Sequence, residues 1–160
     1  MAIDMFIKID GIDGESQDDK HTKEIQLESF SLGTNNIGSS GVGSGVGAGK
    51  VSFQDLNCTK LVDSASPLLL KKCAMGEHIA QAVLTVRKAG GKQEDYLQIK
   101  LSDLIISSVV HSGSAAGDLP MESFSINYSK IDMGYKPQDK NGTLGAAITG
   151  GWDLKKNVEV

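Results

Sequence analysis

The chain has 160 residues, a length that suits one domain with a sizeable core. Hydrophobic residues make up 39% and charged residues 22%, a balance that excludes wholesale disorder. The net charge of -4, from 16 basic and 20 acidic residues, includes no basic block, so nucleic-acid binding and attachment to a membrane surface are not expected.

Period-two patterning opens the chain. Ile3, Met5, Ile7 and Ile9 alternate with Asp4, Lys8 and Asp10, which predicts a half-buried strand. Phe6 breaks the polar face and is expected to cover something outside the main core. The stretch lacks the layout of a secretory signal, so synthesis in the cytoplasm without signal-peptide export is expected. Gly14 to His21 is polar and loop-like. Ile25, Leu27, Phe30 and Leu32 predict a second strand whose phase slips near Glu28–Ser29, where a β-bulge is expected.

Seven glycines follow between Gly33 and Gly49. Glycine loses the most entropy on ordering, so Gly38 to Gly49 reads as an extended loop. Val51 to Lys60 resumes strand character, again with one phase slip. The one good helix spans about residues 66–76. Ser66 is its N-cap candidate, Pro67 suits the first turn, Gly76 is its stop, and its leucines should pack on the body.

The rest is β. Ala82–Lys88 and Tyr96–Leu101 flank Ala89-Gly90-Gly91-Lys92, a hairpin signal. Leu104–Val110 reads as an apolar run, broken only at Ser107 and Ser108, and should have both faces covered. Glu122–Tyr135 alternates over its length with a phase change near Ser129–Lys130, where another bulge is expected. Trp152, the only tryptophan, should anchor the tail. Many strands, one helix and repeated slips point to a closed or nearly closed β-barrel rather than a flat open sheet. No segment approaches the ~20 apolar residues of a membrane helix.

Chemistry is sparse. Cys58 and Cys73 fit no metal or redox motif and read as two reduced side chains. Residues Gly43–Lys50 fail the phosphate-loop pattern, because Ser44 stands where glycine is needed and Val51 follows the lysine. The looser dinucleotide pattern at Gly43, Gly45 and Ala48 lacks its following helix. His21, His78 and His111 have no ligand spacing and read as surface or boundary residues. The acidic group Asp13, Glu15, Asp18 and Asp19 lacks calcium-loop spacing and reads as a solvated loop. No catalytic, metal or cofactor residue is assigned, and an enzyme is not expected. A surplus of strand edge and loop instead suggests a self-assembling building block.

Several segments, in order, carry a resemblance. They begin with Phe6-Ile7-Lys8-Ile9-Asp10-Gly11-Ile12, Gly14-Glu15-Ser16 and Gly47-Ala48-Gly49-Lys50-Val51. Thr59-Lys60 and Val62-Asp63-Ser64-Ala65-Ser66-Pro67 follow. Ala82-Val83-Leu84-Thr85-Val86-Arg87-Lys88-Ala89-Gly90-Gly91 is the most specific. Leu119-Pro120, Glu122-Ser123, Tyr135-Lys136-Pro137-Gln138 and Trp152-Asp153-Leu154-Lys155 complete the set. Together they resemble the haemolysin-coregulated protein (Hcp) family, the tube protein of bacterial type VI secretion systems.

The resemblance implies a β-barrel of two packed sheets with one flanking α-helix, in one domain spanning residues 1–160, and a homohexameric ring with a wide channel. Rings would stack into a tube, under a spike protein and inside a contractile sheath, and small effectors would ride in the lumen. It implies secretion to the extracellular space or a target cell without a signal peptide. A chain ending at Val160 looks like the plain form without an added effector domain. The alternative is a small-barrel binding module or effector carrier with no tube role. The resemblance also implies that the glycine-rich loop touches neighbouring subunits or rings. Gly33, Asn35, Asn36, Gly38 and Gly41 are its first expected contacts. Gly43, Gly45, Gly47, Gly49 and Lys50 are the others. Six copies would carry 6 × -4 = -24, so stacking should strengthen with salt.

Overall fold

A computed structural model describes residues 2–39 and 47–160. The first strand is β1 (Ile3–Ile9), followed by β2 (Ile25–Leu27), β3 (Ser29–Ser31), β4 (Thr34–Ser39), β5 (Gly47–Phe53) and β6 (Leu56–Leu61). Helix α1 spans Ser66–Met75. Then come β7 (Ile79–Lys88), β8 (Asp95–Ser112), β9 (Met121–Tyr135), β10 (Ile148–Asp153) and β11 (Val158–Glu159).

The main sheet is antiparallel in the order β11-β10-β9-β8-β7-β1-β2. It branches at β9, which has β8 along one edge and divides the other between two partners. Residues Met121–Ile126 pair with β6, and Lys130–Tyr135 pair with β10. Strand β3 pairs with the far edge of β6. No ladder closes the sheet, so a closed barrel is not formed. The circuit is bridged by the chain itself, because β2 pairs with β1 and its continuation β3 pairs with β6. Between them the Glu28 N–H donates to the Thr59 carbonyl at 2.8 Å. The phase slip at Glu28–Ser29 is thus a corner where the segment changes partner.

The slip near Ser129–Lys130 has a different cause from the bulge expected there. Pairing runs without a shift from Leu97↔Tyr135 to Ile106↔Ile126, and the register shift falls on β8 between Ile106 and Ser108. Ile99 and Leu101 are buried, then Leu104 and Ile106; opposite them Ile131 is buried, then Tyr128 and Ile126. Both strands therefore change face together. Asp103 lies at the change, in the left-handed region at φ 50°, which lets the chain turn over without losing register. Leu104 and Ile106 are buried, but Ile105 between them is only half-buried and Val110, further along the run, is 58% exposed, so one face alone is covered.

Inside the curved sheet, Ile7, Ile25, Leu56, Leu84 and Ile126 are fully buried. Helix α1 adds Leu69, which is fully buried, whereas Leu68 and Leu70 stay exposed, so only one of the three leucines packs inward. Ala65 is the N-cap, not Ser66, and makes no side-chain cap bond. The Ser66 hydroxyl instead accepts from the Asp63 N–H and from Lys60. Gly76 ends the helix in the left-handed region, its N–H donating to the Cys73 carbonyl while Glu77 N–H reaches Lys72. Cys58 is buried, Cys73 is half-buried, and both are free thiols. Burial pushes the Cys58 thiol up to about 12.

Two charged networks are built into the body, one on the inward phase of β6 and β9 and one on the outer face of β1 and β7. Lys60 and Glu122 are both fully buried, with Nζ 2.7 Å from Oε1. Nζ also donates to Asp63 at 2.7 Å, and the other Glu122 oxygen meets His111. On the outer face of β1 and β7, Phe6 is covered by the loop that follows β1. His21 stacks on its ring at a centroid distance of 4.5 Å, and the Arg87 guanidinium lies 5.0 Å over it. His21 is therefore buried, not a surface residue, because its imidazole covers Phe6 and contacts Glu24 and Asp95. Nor is Asp18 merely solvated. Arg87 donates to it, and that guanidinium holds its carboxyl below the usual carboxylate range.

Candidate assembly surface

The segment expected to form a glycine-rich loop is in part a β-hairpin. Strands β4 and β5 pair with each other and with no strand of the main sheet. Thr34↔Phe53, Asn35↔Ser52 and Asn36↔Val51 run in register, which then shifts before Gly38↔Ala48 and Ser39↔Gly47. The shift leaves Gly49 and Lys50 opposite Ile37 alone, a bulge on β5. Glycine is required at 49, since a Cβ there would lie 2.2 Å from the Ile37 carbonyl oxygen. The entropic cost that argued against regular structure is offset by this close backbone approach.

The hairpin is rooted by the Gln54 N–H, which donates to the Gly33 carbonyl at 2.9 Å. Tyr128 donates its hydroxyl to the Gln54 carbonyl at 2.9 Å, and its ring meets Phe53 edge-on. Burial and the nearby Asp55 carboxylate raise the Tyr128 phenol to about 12, which keeps it a neutral donor.

Of the residues expected at contacts, Gly33 lies at the root. Asn35, Asn36 and Gly38 lie on β4, and Gly47, Gly49 and Lys50 on β5. Gly41, Gly43 and Gly45 fall outside the described residues. The sequence reading missed the apolar members of the surface. Ile37 is 78% exposed on β4. An apolar groove of about 460 Å³ separates the hairpin from the face of β9 and β10. Leu32, Val51 and Phe53 form one wall, and Ile131, Met133 and Trp152 the other. Trp152 packs against the core as expected, and its Nε1 is buried without a partner among the described residues. The sequence signal for this surface was slight: one isoleucine in a polar stretch and one tryptophan near the tail.

Among the described residues no group of three His, Cys, Asp or Glu side chains is arranged to hold a metal, and no helix is long and apolar enough to cross a membrane. The exposed features are a separate hairpin and an apolar groove, which suit contact between macromolecules.

Comparison with known proteins decides the family. A family profile described as "Type VI secretion system effector, Hcp" matches residues 6–135. Protein hcp1 of Pseudomonas aeruginosa is 42% identical over 161 residues, covering 99% of each chain. The chain belongs to the Hcp family. Crystallised Hcp1 from Salmonella typhimurium matches the fold with a TM-score of 0.82 at 40% identity, over 100% of both chains. Another solved type six secretion system protein reaches a TM-score of 0.95 at 33% identity, covering 99% of this chain and 100% of that one. Hcp proteins are structural, secreted components of type VI secretion, so this membership is consistent with the lack of a catalytic assignment.

Proposed function

We propose that this chain is a subunit of the type VI secretion inner tube. Six copies form a ring with a wide central channel. Rings stack within a contractile sheath and beneath a spike protein, the tube is expelled to the cell exterior or into a target cell, and the lumen carries small effectors. The chain is made in the cytoplasm and leaves through this machine.

The observation that carries the reading is the β4–β5 hairpin, a two-stranded sheet outside the main sheet in a chain that aligns with an Hcp protein over 99% of its length. A hairpin with two free edges is marginal alone and is completed by contact with something else. Asn35, Asn36, Gly49 and Lys50 are placed by this reading at contacts between subunits or between rings.

Size-exclusion chromatography with light scattering tests the ring. Six subunits of 16.9 kDa give 6 × 16.9, or about 101 kDa, and electron micrographs should show annular particles. A monomer of 16.9 kDa at micromolar concentration would refute the reading. Stacking of rings that each carry 6 × -4 = -24 should raise light scattering as salt is added; scattering that falls with salt contradicts the charge argument.

A further inference from the structure

We propose that Ile37 of one copy seats in the apolar groove beneath the hairpin of a neighbouring copy, joining the two head to tail. The inference rests on the self-assembly reading above and names the contact.

The knob and the hole lie on opposite faces of one hairpin. Thr34 and Asn36 of β4 line the groove, as do Val51 and Phe53 of β5. Side chains alternate along a strand, so Ile37 points away from the groove its neighbours line. A chain cannot fill its own groove with its own Ile37. Each copy can fill the groove of the next, and such a head-to-tail contact is heterologous: it closes into a ring or continues as a filament.

The chemistry of the two parts matches. Ile37 is the most exposed large apolar residue among those described, at 78%. The groove is apolar on both walls, with about 460 Å³ of space, enough for a branched side chain and part of the strand that bears it. Gly150 keeps the sheet-side wall low, since a Cβ there would meet nothing within 4 Å. Trp152 lines the sheet-side wall, so a side chain seated in the groove would lie against it.

Trp152 is the only tryptophan, so its fluorescence reports on the groove without a label. The test uses the full chain as wild type, Ile37→Asp and Ile37→Leu. Mass by light scattering and tryptophan emission are followed over a range of protein concentrations, with circular dichroism to check folding. In the wild type, emission should move to shorter wavelength over the concentrations at which mass rises. Ile37→Asp should keep its fold, raise the assembly midpoint at least tenfold and lose the emission shift at wild-type concentrations, while Ile37→Leu keeps both. Assembly of the wild type with unchanged Trp152 emission would overturn the groove contact and leave the tube reading standing. Assembly of Ile37→Asp at wild-type concentrations with the full shift would do the same. A wild type that never assembles would overturn both.

Discussion

Replacing Lys60 by Met removes one partner of a fully buried ion pair. Lys60 and Glu122 have no exposed surface, and their contact at 2.7 Å is ionic rather than a well-aligned hydrogen bond. Lys60→Met leaves the Glu122 carboxylate buried beside Asp63, which is 14% exposed. Breaking one side of such a pair costs about 3–5 kcal/mol, because the remaining carboxylate stays desolvated, here with His111 as its one remaining contact. For a domain of this length each kcal/mol lowers Tm by roughly 2–4 °C, so the variant should melt about 6–20 °C below wild type. The double variant Lys60→Met with Glu122→Leu should recover at least half of the loss. It leaves no carboxylate fully buried, His111 can turn to water, and Asp63 still accepts the Ala65 N–H at 2.9 Å. Urea unfolding followed by circular dichroism, at one fixed protomer concentration, gives the four corners of the cycle. A single-variant loss under about 1 kcal/mol, or a double variant no better than the sum of its parts, would refute the reasoning.

Leu69→Ala should cost about 2–5 kcal/mol in the same assay, whereas Leu70→Ala, at a 55% exposed position, should stay within about 0.5 kcal/mol. Gly49→Ala should speed amide exchange in β4 and β5 with little change in the global midpoint, because the added methyl meets the Ile37 carbonyl; unchanged exchange would count against the close approach. Asp18→Asn tests the clamp over Phe6. Arg87 lowers the folded pKa of Asp18, so that carboxylate contributes stability above its ordinary range and the contribution is lost as pH falls through the lowered value. The variant should therefore be less stable than wild type near pH 7, and the difference should close as pH falls through the lowered Asp18 value.

Local rules made much of this fold legible. The turn at Ala89–Lys92, the αL stop at Gly76 and the slip at Glu28 all rest on chemistry within a few residues, and all three mark real boundaries. What stayed hidden depends on partners far along the chain. Lys60 shares the inward phase of Leu56 and Cys58, but the partner that lets a lysine stay there is hidden: only β9 brings Glu122 to it, 62 positions away. His21 reads as a loop histidine until Phe6 and Asp95 surround it. At the candidate surface, glycine content argued for a loop, but the need for glycine at 49 comes from the backbone of Ile37 across the hairpin. The groove joins β4 and β5 to strands some eighty or more positions later, and no local pattern announces that meeting.

Strand β9 holds three ladders at once, and this has a mechanical consequence. Strands β8, β6 and β10 all hang from it, so a push or pull entering through any of them passes to one backbone segment, Met121–Tyr135. Along its length the hydrogen bonds to β8 lie across the strand and resist sliding in parallel. The short β10–β11 end, held to the rest by its ladder with β9, would instead come away bond by bond, like a peeled strip. A pull on the chain's last residues would therefore open the short ladder to β10 before the long one to β8, and Met121–Tyr135 would stay whole.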